Sequence, residues 1–531
     1  MKPVPRLAVS VLCAALAPIA LAHDEPARES GRLGKVTFEN SCAPEVQAKL
    51  NRSVAMLHSF WYSAAEKSFT EVISEDPTCG VAAWGLAAIL MSNPLAGQGA
   101  SAQGAQKAMA AIELGRVMGA KTERERDYIE AVAAYYDDWA NKPERARQLA
   151  RAEAFQKLAA KYPRDDEAQI FAALYTAATQ QQSDQTYAAY LKAAAVLEEQ
   201  FRKYPDHPGV AHYLIHSYDA PPIAAKGIPA ARLYAGIAPD APHALHMPSH
   251  IFTRVGAWEE SAATNKRSME VAKAGGEPDE AYHANDYMVY AYLQLGRDAE
   301  ARRTVEDAMR VQGSNTVRFV APYAMGAMPA RLVVERGLWD QAMQLPMPPK
   351  SNWPASQANT RFARALGAAR SGNVGVAREE LAQLAQIQQA LEDRKDRYWA
   401  TEVEVQRLIV AGWIARAQKN DDDALRFLRA AADLEDRNEK HIVTPGRLVP
   451  AREQLGELLI EVGQPKAALA EFETSRLREP NRFRNYYMSA LAAEDAGDKA
   501  SAREYWGKLA ALGAKADTDR PEIARAPAAL Q

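Results

Sequence analysis

Three observations predict an all-α chain of repeated helix hairpins. Ala is abundant and β-branched residues are sparse across the 531 residues, which favours helix over strand. A spacing also recurs: a small residue, a large apolar one four later, a small or apolar one three beyond, and often a Pro five further on. It appears as Ala65, Phe69, Val72 and Pro77, as Ala193, Leu197, Gln200 and Pro205, and as Ala468, Phe472, Ser475 and Pro480. Third, a Gly lies five residues before the small position at Gly256, Gly296, Gly337, Gly372, Gly463 and Gly497. Small residues let paired helices approach and large ones fill the gap between them. The Gly ends the first helix and opens the turn, and the Pro stops the second.

The segments follow in order. Lys2 and Arg6 precede an apolar run over 7–21 that is too short to span a bilayer, and "ALA" at 20–22 offers small residues before a cut at His23. Residues 1–22 are therefore expected to be a signal peptide, and the mature protein to be periplasmic or secreted. An uncleaved anchor is the alternative, and Leu12 argues against lipid attachment at Cys13. No later segment approaches the length of apolar run that a membrane span needs. Helical patterns over 44–59 and 62–75 are bracketed by Cys42 and Cys79, which an antiparallel hairpin would place at one end. In an oxidising compartment a disulfide is expected there; the alternative is two free buried thiols. The periodicity is weakest over 92–140, where "NPLAGQGASAQG" reads as a loop insertion. One array is expected over 23–344, a Pro-rich joint over 345–358, a second array over 359–512 and a flexible tail over 513–531. A net charge of −3 gives no field for nucleic acid or an acidic membrane.

The spacing and the turns "VGAWEESA", "LGRDAEA", "RGLWDQA", "VGQPKAA" and "AGDKASA" resemble the tetratricopeptide repeat family. The resemblance covers most of 45–512, about ten hairpins, and is strongest over 208–345 and 449–511. It implies a right-handed α-solenoid whose concave face is lined by the first helix of each hairpin, mainly through the second, fifth, ninth and twelfth repeat positions. It also implies an interaction scaffold that takes a protein or peptide ligand in that groove, rather than an enzyme.

The chain has ten histidines, and seven of them lie between His207 and His283. On the repeat register His243, His246 and His250 take the second, fifth and ninth places. His283 and Asp286 take the second and fifth. His212, His216 and Asp219 take the fifth, ninth and twelfth. Three consecutive repeats thus aim imidazoles and carboxylates at one stretch of the groove. Imidazole is the commonest transition-metal ligand and carboxylate its frequent partner, so the alternative to a scaffold is a protein that binds Zn, Cu, Ni or Fe through these eight residues, with catalysis a further possibility. His212 and His216 are spaced as in metalloproteases, but no Glu follows His212 and that motif is absent. Met247 offers a soft ligand or a buried hydrophobe.

Other readings are ordinary packing of each histidine, recognition of an acidic or polar peptide, and acid–base chemistry with Asp219 or Asp286. Ser249 beside His250 sits in no nucleophile elbow. Pro248 either kinks the helix or starts a new one. No CxxCH, paired CxxC, Walker loop or GxGxxG unit occurs. Trp61, Trp84, Trp258 and Trp339 fall near packing positions, and "DRKDR" at 393–397 and "NDDD" at 420–423 read as solvated turns or caps.

Overall fold

Helices pair antiparallel along the chain, each joined to the next by a tight turn. The computed structural model describes residues 32–530 except 98, 312 and 314–317, so the expected signal peptide with Cys13 and His23 lies outside the described residues. Those residues form one compact unit from Arg32 onward. The recurrent spacing sets the packing inside each hairpin. In Ala451–Glu461 and Pro465–Arg476, Phe472 and Ala468 are fully buried, and Phe472 lies so close to Gly456 that a Cβ there would stand 2.6 Å from its ring. Ala65, Phe69 and Val72, and Ala193 and Leu197, are buried in the same way. The turn glycines Gly256, Gly296, Gly337, Gly372, Gly463 and Gly497 all have φ between 64° and 78°, a left-handed conformation that costs glycine least.

First helices stack on first helices: Pro44–His58 on Ala82–Leu90, and Val320–Glu335 on Ala355–Arg370. Distant hairpins also meet. Pro44–His58 touches Pro208–Ser217, and Pro278–Gln294 touches Phe483–Asp495. Trp84 and Trp258 are buried and Trp61 and Trp339 partly so, while Asp396 and Asn420 cap the helices that follow them. No helix among the described residues is long and apolar enough to cross a membrane.

Cys42 and Cys79 form a disulfide at a separation of 37 residues, with their Cα atoms 4.7 Å apart. It ties the start of Pro44–His58 to the segment after Tyr62–Glu75, where Asp76 accepts the Ala43 amide at 2.7 Å. A loop of that size is worth about 4 kcal/mol of unfolded-state entropy. Replacing both cysteines by Ser is expected to lower the unfolding free energy by roughly 2–4 kcal/mol in denaturant titrations without changing the helical circular dichroism.

The loop expected in the weak region 92–140 is present just before Ala102, and the rest of that region is mostly helical, through Ala102–Met118 and Glu123–Tyr136, the latter opened by a Thr122–Glu125 capping box. Two expectations need correction. The stretch 345–354 is non-helical, but it does not divide the chain. Val320–Glu335 packs directly on Ala355–Arg370, and one apolar core runs from Leu33 to Ala492. The expected tail instead carries the helix Pro521–Leu530, packed on Lys499–Leu512. Arg520 anchors it: the side chain is buried, its Nε donates to Asp298 Oδ2 at 2.9 Å and its Nη2 to the Leu293 carbonyl at 3.0 Å.

One segment departs from the hairpin pattern. After Asp421–Glu435 the chain runs non-helically to Pro450, and Lys440 through Thr444, Leu448 and Val449 are all buried. Its path is fixed from several hairpins. The Glu439 amide donates to the Gln182 carbonyl at 2.8 Å, and Tyr187 donates to Glu439 Oε1 at 2.7 Å. Arg331 donates to the Arg447 carbonyl at 2.8 Å and the Gly446 carbonyl at 3.1 Å. This strap crosses the helices that carry the histidines.

Candidate histidine centre

Six histidines come from three consecutive first helices, the middle one divided in two. Pro208–Ser217 carries His212 and His216. Pro278–Gln294 carries His283. Pro248 splits the middle helix into Pro242–His246 and Pro248–Arg254. The break is gentle: Met247 keeps helical angles and its amide still reaches the His243 carbonyl at 2.9 Å. Pro248 lacks a donor, and the Ser249 hydroxyl donates to the His246 carbonyl at 2.7 Å, which also closes Ser249 off as a nucleophile. His243, His246 and His250 therefore stay on one side of the chain.

The rings gather into two trios, His212 with His216 and His243, and His246 with His250 and His283. In each trio one nitrogen per ring lies within 4.8 Å of the others, and all six side chains are buried. The trios adjoin, with ring centroids 5.6 Å apart for His216 and His250 and 5.9 Å for His243 and His246. Within each i, i+4 pair the Nε2 atoms approach closely, at 3.1 Å for His212 and His216 and 3.0 Å for His246 and His250. Two imidazoles bound side by side to one ion at about 2.1 Å have nitrogens about 3.0–3.4 Å apart, depending on the angle between them.

The groups behind the rings fix their tautomers. His212 Nδ1 lies 2.6 Å from the His58 carbonyl. His246 Nδ1 lies 2.7 Å from Asn265 Oδ1, and the Asn265 amide nitrogen is held by the Ser261 carbonyl, so its oxygen must face the ring. His250 Nδ1 lies 2.8 Å from Asp219 Oδ2. Each partner is an acceptor, so each Nδ1 carries the proton and each Nε2 is a bare lone pair aimed inward. Burial pushes the histidines toward the neutral form, with neighbouring histidines adding to it for His212, His216 and His246, which lie well below the ordinary value. His250 is pushed down to about 4 by burial against the opposing Asp219 bond, and His283 to about 3.

The two carboxylates expected among the ligands sit elsewhere. Asp219 stands behind His250, and both of its oxygens are committed. Oδ1 accepts from Arg254 at 2.8 Å, and Oδ2 from His250 and, at 3.3 Å, from Lys440 of the strap. Burial pushes this carboxyl up, but Lys440, Arg254 and His250 outweigh it and hold it below the usual range. Burial in turn pushes Lys440 down to about 8. Asp286 lies 3.6 Å from Arg331, and burial pushes it up to about 6. Neither residue belongs to the trios.

Sequence reasoning missed the support. His58, Glu167, His207 and Tyr213 form a closed network: Tyr213 hydroxyl to His58 Nδ1 at 2.9 Å, His58 Nε2 to Glu167 at 2.9 Å and His207 Nε2 to Glu167 at 3.0 Å. The Val210 amide donates to His207 Nδ1, so every site in this network is taken and its role is to hold the His58 carbonyl under His212. Asn265, Lys440 and Glu167 reach the centre from separate elements with no sequence signal. Tyr287 could have been found, because it lies four residues after His283 on one helix face. Its hydroxyl is 3.5 Å from His250 and donates to the Thr444 carbonyl at 3.1 Å. Met247 is fully buried in the apolar core. Around His250 the histidine wall thus faces the strap, through Lys440 and Thr444.

No protein-family model and no curated protein matches the chain. Structural overlays are loose. A tetratricopeptide repeat protein from Parabacteroides merdae matches at 14% identity, covering 54% of this chain and 98% of its own, with a TM-score of 0.29. The human IFIT1 dimer with PPP-AAAA matches at 12% identity over 90% of this chain and 96% of that one, with a TM-score of 0.38. Yeast Tom70 matches at 14% identity over 91% and 88%, with a TM-score of 0.31. The fold assignment rests on the chain's own small–large helix contacts and left-handed turn glycines: it is an all-α array of tetratricopeptide-like helix hairpins.

Proposed function

We propose that this protein binds two transition-metal ions side by side, one in each histidine trio, and that copper is the metal the donor set suits best. The observation that carries the reading is the His246–His250 pair. Their Nε2 atoms lie 3.0 Å apart, and Asn265 and Asp219 each require the proton on the opposite nitrogen. Two buried lone pairs facing at that distance repel, and a cation between them turns repulsion into coordination. Oxygen-seeking ions such as Mg, Ca and Mn are poorly served, because no carboxylate joins either trio. Among metals that favour imidazole, copper stands highest in the affinity order, and as Cu(I) it brings a single charge into a buried site whose ligands are all neutral. Zinc, nickel and iron are the remaining candidates.

The reading includes export, supported by the charge and apolar pattern of 1–22 and by the Cys42–Cys79 disulfide, which suits an oxidising compartment. A protein or peptide partner, the other reading the sequence allows, would meet outer faces of the hairpins, since all six histidines are buried and the strap lies over the His250 end of the wall.

Elemental analysis of purified untagged protein, reconstituted with Cu(I) or Zn(II) and then desalted, is the test. About two ions per chain should remain. Retention of less than a few tenths of an ion for every metal offered would sink the reading.

A further inference from the structure

A small cleft of about 50 Å³ opens beside the two trios, bounded by Tyr62, Asn93, Glu280, Arg318, Phe319 and Val443, with His243 and His283 also in its lining. Three polar groups that line it have buried atoms lacking an aligned hydrogen-bond partner: the Tyr62 hydroxyl, Glu280 Oε2 and His243, both of whose ring nitrogens are unpaired although the proposed ion would take only one. Glu280 Oε2 is 3.4 Å from His243 Nδ1, near enough for attraction but without hydrogen-bond alignment. Buried polar groups ordinarily find partners, and three orphans in one cleft mark the place of a ligand. His243 is only 6% exposed, so solvent does not substitute freely.

The lining also selects the ligand. Glu280 can only accept a hydrogen bond, whereas the Tyr62 hydroxyl can donate one; a single hydroxyl group serves both. The walls are apolar or aromatic, from Phe319, Val320, Val443 and the Tyr62 ring, over which the Arg318 guanidinium lies at 5.0 Å. A flat ring is the shape such walls take best. Glu280 repels a carboxylate from the place beside Tyr62 and His243, although Arg318 in the same lining attracts one. A cation would be drawn to Glu280 and Asp279 but would stand against Arg318 and against the ions proposed for the adjoining trios. We propose that this cleft binds a small neutral aromatic compound bearing a hydroxyl, a phenol in the simplest case, with the hydroxyl on Glu280 and Tyr62 beside His243. The inference deepens the metal reading, because it supplies a ligand next to the ions, but the contacts it invokes come from the protein alone.

Phenol, benzoate and benzylamine are titrated by calorimetry into the metal-loaded and metal-stripped protein, with metal content measured on the same samples. Saturable one-site binding of phenol is expected, at least ten-fold tighter than of either charged ring. Glu280→Gln should weaken it about ten-fold and Tyr62→Phe several-fold, both with unchanged circular dichroism. Absence of saturable phenol binding, equal binding of benzoate or benzylamine, or phenol affinity unaltered in both variants overturns the proposal. If the samples hold no metal, the metal reading fails alone, and the titration of the stripped protein still decides this one.

Discussion

The double variant His246→Ala, His250→Ala is expected to retain one metal ion per chain where the native protein retains two, and His212→Ala, His216→Ala is expected to do the same from the other side. The reason is geometric. Each pair supplies two of three donors to its own trio, with Nε2 atoms 3.0 Å apart for His246 and His250 and 3.1 Å for His212 and His216, and no histidine is shared between the trios, although both draw on the segment 242–254. Losing two of three imidazoles removes the site rather than weakening it. The adjoining trio keeps its ligands and, for His246 and His250, its own Nδ1 supports on Asn265 and Asp219. Combining the four substitutions should leave no bound metal. Retained ions also stabilise the fold by mass action, about 4 kcal/mol at a thousand-fold excess over the dissociation constant, so thermal denaturation with and without metal gives a second readout. Loss of both ions from either double variant would mean a single shared centre instead of two.

How much of this is visible in the sequence depends on range. Helix hairpins are written locally: Ala468, Phe472 and Ser475 lie within eight residues and share one buried helix face, and Gly463 after the preceding helix takes a left-handed φ of 75°. The convergence of imidazoles is also legible, because equivalent repeat positions share a wall and six of the histidines obey that register. What lay beyond reach is whatever crosses the array. Asp219 looked like a ligand because it follows His216 by three residues, and nothing local says that Lys440, 221 residues away, and Arg254 hold its oxygens. Asp286 looked like one for the same reason, and Arg331 from the next hairpin claims it. The strap has no helical period and so reads as an ordinary connection, although it lies over the His250 end of the histidine wall. The closing helix Pro521–Leu530 was hidden similarly, since its anchor is the Arg520–Asp298 pair rather than any pattern of its own.

The second large effect concerns acid. Metal-free protein is expected to lose stability steeply as pH falls below about 6.5, because the buried histidines outnumber the two buried carboxyls, Asp286 and Glu435, that are pushed up to about 6 and about 7 and work in the opposite direction. In the unfolded chain each histidine takes up a proton near pH 6.5. In the folded chain burial keeps His250 neutral down to about 4 and His283 and His441 down to about 3, and burial likewise holds His58, His212, His216 and His246 below the ordinary value. Between those limits the unfolded state binds more protons than the folded one, so stability rises with pH and is lost on acidification. The loss is roughly 1 kcal/mol for each such histidine by pH 5.5. Several acting together rival the whole stability of a typical domain. A bound ion should deepen the effect, because protons compete with metal for the same nitrogens. Urea titrations of stripped protein at pH 7.5, 6.5 and 5.5 measure it directly. A transition midpoint that stays level across that interval would show that the histidines are not buried as a neutral cluster, and the facing lone pairs on which the metal assignment depends would go with it.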